Sequence, residues 1–292
     1  MTLKDSTNVQ NADLNGMINK KEASKILRKK LLKIIEKESN GTDKVGLMLS
    51  GGIDSSSILY SLLELNKKVH CYTFYLQNYE SKDLKSARRL CKIHNLELTE
   101  IIIPRETIKE NIIYLSKIGC TRKTQFETKI HYLYLFPQIQ EHILFGGIEA
   151  DNLQGTVRSM ILQSSKEPIK FNELRQKAHK FAIETNLPID YKIAKDNNIK
   201  LIYPYANEEI YNFYLQFDWQ YLNKPYEKWI LINAFKEYFE KDGYRRHLDM
   251  QQASMMKDYC KTLVTDKTIN PNNRKRINEA YKDLSKINGG KI

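Results

Sequence analysis

The 292-residue chain carries 47 Lys and Arg against 35 Asp and Glu, a formal charge of +12, with 41% hydrophobic and 28% charged residues. No apolar run approaches the roughly 18 residues of a membrane-spanning helix, so the composition excludes a helical membrane protein and predicts a soluble chain whose core suits one large domain or two. Four scattered cysteines, Cys71, Cys91, Cys120 and Cys260, form no CxxC pair, which argues against a disulfide framework, a zinc site or a redox dithiol and fits reduced thiols in a cytoplasmic protein.

Residues 1–19 are polar and lack the apolar stretch of a secretory signal, which predicts a flexible N-terminus. From Lys21 to Glu38, Ala23, Ile26, Leu27, Leu31, Ile34 and Ile35 recur at helical spacing, and Asn40-Gly41 ends the helix. The period then changes. Residues 45–49 (VGLML), 69–75 (VHCYTFY), 98–103 (LTEIII) and 142–147 (HILFGG) are short apolar runs, often β-branched or aromatic, and each reads as a strand. A helix is predicted at 82–94, where Leu84, Ala87, Leu90, Cys91 and His94 fall on one side. Strands alternating with helices predict an α/β fold, a parallel twisted sheet with flanking helices.

Beyond about residue 155 the pattern is helical, at 172–184, 207–217 and 226–239, with no strand of comparable quality. The chain thus divides into the N-terminus at 1–19, a domain at 20–264 and a charged tail at 265–292. Within the domain, the α/β core covers about 42–155 and a C-terminal helical portion about 156–264. The positive excess favours polyanionic partners such as nucleotides, nucleic acid or phosphorylated substrates. Basic runs such as Lys20-Lys21, Lys29-Lys30 and Arg274-Lys275-Arg276 sit in helical patterns, where a solvated face is the ordinary reading.

Residues 47–63, LMLSGGIDSSSILYSLL, join the first strand to a helix through small, polar and flexible residues. In an open α/β sheet ligands bind beyond the carboxyl ends of the strands, where Ser50, Gly51, Gly52, Asp54, Ser55 and Ser56 fall. Adjacent glycines let the backbone turn and offer N–H groups to an anion. The following helix adds its free amides and partial positive charge, and the serines add hydroxyls. The loop ends without the Gly-Lys-Ser/Thr of a Walker A motif and lacks GxGxxG. Asp54 beside phosphates makes sense as a Mg²⁺ ligand, since Mg²⁺ is usually held by one or two carboxylates plus phosphate oxygens. A simple turn with Asp54 capping the helix is the competing reading.

SGGIDSS after an apolar strand resembles the SGGxDS loop of the PP-loop ATP pyrophosphatases, which cleave ATP between its α and β phosphates. Downstream segments are similar to the synthetase domain of asparagine synthetases and the related β-lactam synthetases. CYTFYLQNYESKDLKSARRLCKIHNLELTEIIIP resembles their second strand, acidic-Ala-Arg helix and third strand. FGGIEADNLQG (145–155) resembles their GEGADELFGG loop, IYPYANEEIYNFYLQF their R-x-PFLD segment, and KPYEKWILINAF their EKxxLRxA helix. The resemblance runs from about residue 21 to about 260.

The resemblance implies an enzyme that uses ATP and Mg²⁺ to adenylate a carboxylate or similar oxygen, releases pyrophosphate, and lets an amine or ammonia displace AMP. It implies ATP binding by Leu49, the loop, Thr73, Gly147, Asp151 and Lys228, with Asp54 and Asp151 sharing the metal and Lys228 contacting pyrophosphate. Departures stand beside it. Asn152 replaces the usual Glu after the metal aspartate, Asn207 stands for Asp and Ile232 for a frequent Arg. In YRRHLDMQQASMM (244–256), aligning Gln251 and Ser254 puts His247 where the family has a catalytic lysine. Arg246 is then expected to supply charge and His247 to touch substrate or nucleophile. Glu127, Tyr132 and Glu149 are weaker candidates for substrate contact.

The glutaminase half of asparagine synthetases finds no counterpart here, so ammonia or an amine is expected directly or from a separate glutaminase subunit. The acceptor is a small molecule or a nucleic acid. Two further readings compete with the amide ligase. One is a PP-loop enzyme modifying nucleic acid, favoured by charge but weakened in its sulfur-transfer form by the absent CxxC. The other is a nucleotide-binding protein without catalysis, motivated by Asn152 and His247.

Overall fold

The computed structural model describes residues 18–164, 170–244 and 255–257. Helix α1 (Lys20–Glu38) starts at Asn19, whose side chain accepts the Lys21 amide, and buries Leu27, Leu31, Ile34 and Ile35 on one face. Strand β1 (Lys44–Met48) runs into α2 (Ile53–Glu64), and β2 (Lys68–Leu76) into α3 (Lys82–His94). Ser81 caps α3 by accepting the Leu84 amide, and Asn95 ends it in a left-handed conformation. Then follow β3 (Glu97–Ile103), α4 (Ile108–Lys117), α5 (Lys123–Lys129), α6 (Tyr132–Leu135) and β4 (Ile143–Phe145).

After β4 the chain is mainly helical: α7 (Ala150–Gln154), α8 (Arg158–Ser164), α9 (Lys170–Phe181) and α10 (Leu187–Asp196). A short β5 (Lys200–Ile202) precedes α11 (Glu208–Leu215), α12 (Trp219–Asn223), α13 (Trp229–Ala234) and α14 (Lys236–Asp242).

The five strands form one parallel sheet in the order β3-β2-β1-β4-β5. The expected α/β architecture with a C-terminal helical portion is what the chain adopts. One difference is β5, which lies beyond residue 155, where no strand was expected. Three residues behind Asn197-Asn198 are too short to show a strand period, and β5 forms because β4 offers Ile143, Leu144 and Phe145 as partners. Another is the helix expected at 226–239, which breaks into α13 and α14 around Phe235.

Helices cover both faces. One cluster joins Leu47, Leu49 and Cys71 to α1, α2, α3 and α11–α14. The other joins Tyr72, Ile101, Ile103 and Leu144 to α4, α5, α6 and α10. Strand order reverses direction between β1 and β4, so the loops leaving these neighbours flank a crevice at their carboxyl ends. Among the described residues no helix is long and apolar enough to cross a membrane.

Candidate active site

The loop after β1 is a turn braced by its own side chains. Gly51 has φ +68°, and a Cβ there would stand 2.4 Å from Ser86 Cβ, so α3 packs directly on the glycine. The Gly52 amide donates to Ser50 Oγ at 3.2 Å, Ser55 Oγ lies 3.0 Å from Ser50 Oγ, and the Ser50 amide donates to Ser55 Oγ at 3.3 Å. Deeper in α2, Ser57 Oγ meets Tyr205 Oη at 2.5 Å and ties the helix to the segment after β5.

The loop after β4 touches this one. A Cβ on Gly147 would lie 3.1 Å from the Ser55 nitrogen and 3.2 Å from Asp54 Cβ, so glycine allows the two loops to meet. Four residues later Asp151 opens toward the crevice, its Oδ1 accepting from Thr156 Oγ1 at 2.7 Å. The two aspartates converge on one cation. Lys228 Nζ lies 2.5 Å from Asp54 Oδ2 and 2.6 Å from Asp151 Oδ1.

Lys228 is not the helical lysine that periodicity suggests. It precedes α13 with φ +60° and is 1% exposed. Its amide donates to Asn223 Oδ1 at 3.1 Å, and Asn223 in turn donates to the Gln154 and Trp219 carbonyls. A helical start at 226 would carry the side chain elsewhere; the left-handed turn held by Asn223 aims it at the aspartates. Burial opposes its charge, but Asp151 and Asp54 outweigh burial and raise the ammonium pKa above the ordinary lysine value.

A cavity partly open to solvent lies over the carboxyl ends of β1 and β2. Among the expected residues, Leu49, Ser50, Gly52, Asp54, Ser55, Thr73, Gly147 and Asp151 line it. Gly51 and Ser56 lie behind the lining, shaping the turn and the first turn of α2. Arg246 and His247, with Gln251 and Ser254, lie outside the described residues. Tyr132 faces the cavity, whereas Glu127 is buried beside Lys123 at 3.1 Å and does not line it. Sequence reading missed Phe74, Asp83, His131 and Ile148 on the wall. Phe74, one residue beyond Thr73 on a predicted strand, and Ile148, one beyond Gly147 in the loop after the fourth, carried a positional signal.

Glu149 holds a left-handed conformation, φ +80°, and is 6% exposed. Its carboxylate accepts from Asn152 Nδ2 at 2.8 Å and meets His179 Nδ1 at 3.2 Å, with the His179 ring stacked on Tyr211. Arg175, also unanticipated, is fully buried and donates to the carbonyls of Leu153, Tyr214 and Phe217. It locks α7, and with it Asp151, to α9 and α11. Burial pulls its pKa down to about 10.

The sequence model of the asparagine synthase family matches residues 27–180, more than half of the chain. A Methanocaldococcus jannaschii protein assigned as glutamine-hydrolyzing asparagine synthetase 1 is 28% identical over 217 residues, 70% of this chain and 39% of that protein. A 7-cyano-7-deazaguanine synthase of Archaeoglobus fulgidus is 38% identical over 76 residues, 26% of this chain and 31% of that enzyme. The chain therefore spans well under half the length of either curated relative. Among solved structures, the U34-tRNA thiolase of Methanococcus maripaludis with its 4Fe-4S cluster aligns at a TM-score of 0.42 and 15% identity, over 92% of this chain and 85% of that one. A M. jannaschii protein assigned as a tRNA methyltransferase subunit aligns at 0.34 and 16%, over 59% and 73%. With the matched residues running from α1 through both loops of the crevice, the chain belongs to the asparagine synthase family, within the PP-loop ATP pyrophosphatase superfamily.

Proposed function

We propose that the chain is an ATP-dependent ligase that forms AMP and pyrophosphate, activating a carboxylate or similar oxygen and joining it to an amine or ammonia. The observation that supports this reading best is the convergence of Asp54 and Asp151, from the loops of neighbouring strands, on one buried cation beside a Gly-Ser turn. Two carboxylates already focused on a single cationic point suit Mg²⁺, which takes its remaining ligands from phosphates and water. Among the described residues no group of three or more His, Cys, Asp or Glu is arranged to hold a metal without such help. When bound, Mg²⁺ neutralises phosphate charge.

The residues then divide the work. Backbone amides and hydroxyls of Ser50–Ser56 hold the phosphates, while Leu49, Thr73 and Gly147 border the nucleotide. Lys228, held at the site by Asp54 and Asp151, would turn its ammonium to the pyrophosphate. The acceptor oxygen attacks the α-phosphorus and the bond to the pyrophosphate oxygen breaks; charge building on that oxygen is what Lys228 stabilises. In the second step nitrogen attacks the activated carbon, the C–N bond forms, and AMP leaves with the C–O bonding pair. Arg246 and His247 serve this step, as charge and as contact to the nucleophile. The amine arrives free or from a separate amine-supplying subunit.

A second reading, modification of a nucleic-acid acceptor by the same adenylation, draws on the +12 charge. Mass spectrometry of ATP incubated with the protein, Mg²⁺ and a metabolite or nucleic-acid pool tests both. AMP and pyrophosphate are expected; ADP as the product would contradict both, and the pool that supports turnover separates them.

A further inference from the structure

The two outer strands of the sheet treat their free edges differently. β5 is three residues long, a length that offers another strand little to bind. β3, on the opposite edge, runs for seven residues, ELTEIII, without a proline. It pairs with β2 residue for residue from Glu97 to Ile103, so no bulge turns the edge away. The Gln77 amide donates to the Ile103 carbonyl at 2.9 Å. Alternate residues of a parallel strand bond to a given neighbour, which assigns Glu97, Thr99, Ile101 and Ile103 to β2 and turns the amides and carbonyls of Leu98, Glu100 and Ile102 outward. Among the described residues no hydrogen bond reaches these three amides.

The side chains of this outward row lie on the α3 face of the sheet. Leu98 packs partly on the core there, Ile102 is 50% exposed, and Ile93 near the end of α3 is 42% exposed. The one charge in the row is Glu100, and Arg88 of α3 holds it with a fork: Nε and Nη2 donate to the two carboxylate oxygens at 2.6 and 2.7 Å. An edge strand usually deters pairing by shortness, proline, a bulge or an unmatched charge. β3 has none of the four.

We propose that β3 is the interface of a two-fold dimer, in which β3 of a second copy adds antiparallel and the two sheets become one. Glu100 is the midpoint of the strand, so full overlap sets Glu100 opposite Glu100 of the second copy and Leu98 opposite Ile102, once on each side of the axis. In this register the outward residues exchange about six main-chain hydrogen bonds. A second copy is the occupant because the row complements its own reverse: apolar meets apolar at both ends. The two central carboxylates, which would repel if bare, each bring an Arg88 guanidinium with them.

Sedimentation velocity on the full chain from about 1 to 100 µM tests this, with Ile102→Lys, Ile102→Pro, Glu100→Arg and the exchange of Glu100→Arg with Arg88→Glu. Wild type is expected to dimerise as its concentration rises. Because Ile102 is exposed and its amide turns outward, lysine or proline there should leave the fold intact, as circular dichroism checks, while raising the dissociation constant about tenfold or more. If proline unfolds the chain, lysine decides. Glu100→Arg alone should weaken the dimer in the same way, and the exchange should recover most of the loss. Hydrogen exchange should show residues 98–102 slowed in the wild-type dimer and fast in Ile102→Lys. The proposal is overturned by wild type that stays monomeric, which leaves the edge to a strand of another protein, or by a dimer that both Ile102 variants leave unchanged, which joins through another face. An exchange variant no better than Glu100→Arg overturns it too, as do slow edge amides in a monomer, which another segment of the chain then covers.

Discussion

Asn152 donates its side-chain amide to the Glu149 carboxylate at 2.8 Å, so the residue that departs from the family loop GEGADELFGG is bonded to a buried carboxylate of the same loop. The glutamate usual at position 152 would face the Glu149 carboxylate with like charge. Asn152 removes the repulsion and supplies a donor, while His179 approaches from the other side at 3.2 Å.

Asn152→Asp is therefore expected to destabilise the protein by about 1–2 kcal/mol near neutral pH, because a second carboxylate at hydrogen-bond range of the buried Glu149 carboxylate cannot ionise cheaply beside it. Chemical denaturation at pH 8 and pH 5 checks this. The loss should shrink at the lower pH, where one carboxyl takes up a proton.

Gly51 and Gly52 are adjacent but not equivalent. A Cβ on Gly51 collides with Ser86 at 2.4 Å and the residue has φ +68°, whereas on Gly52 it meets only Ser50 Oγ at 3.3 Å. Gly51→Ala should cost about 2 kcal/mol or more and Gly52→Ala well under half of that, as measured by thermal unfolding.

Glu141 ties the amino ends of the strands together. Burial works against its charge, but hydrogen bonds from Tyr72, Lys44 and His70 outweigh burial and hold its carboxyl below the ordinary 4.5. A depressed folded-state pKa contributes stability that is present above the unfolded value and lost as pH falls through the folded one. Glu141→Gln should thus lower stability at neutral pH and flatten the decline in acid, read from denaturation midpoints between about pH 7 and 3.

Much of this was legible in the sequence, and what was not has a physical reason. The four longer apolar runs announce their strands because the sheet buries them, almost throughout in β1, β2 and β4 and at Ile101 and Ile103 in the edge strand β3. Lys200-Leu201-Ile202 cannot announce itself, being a strand only by virtue of β4. The Gly-Ser turn and both aspartates were readable because loop chemistry is local. Lys228 was readable as a participant but not as a buried one, since its direction depends on a left-handed turn and on Asn223, five residues earlier. His131 gave no signal at all: among Tyr132, Tyr134 and Phe136 it reads as core, and only the fold brings it beside the cavity.

Lys228→Met should leave Asp54 and Asp151 facing each other without their ammonium, lowering metal-free stability by about 3 kcal/mol. Because a divalent ion then no longer competes with lysine for the same oxygens, Mn²⁺ should raise the melting temperature more in this variant than in wild type.

In the proposed function, Asp54 and Asp151 hold the cation that brings ATP to the turn after β1. Calorimetric titration of a non-hydrolysable ATP analogue, with and without Mg²⁺, tests it most directly in wild type, Asp54→Asn and Asp151→Asn. Mg²⁺ is expected to strengthen binding markedly in wild type and by little in either folded variant. Variants whose Mg²⁺ dependence equals that of wild type would contradict it.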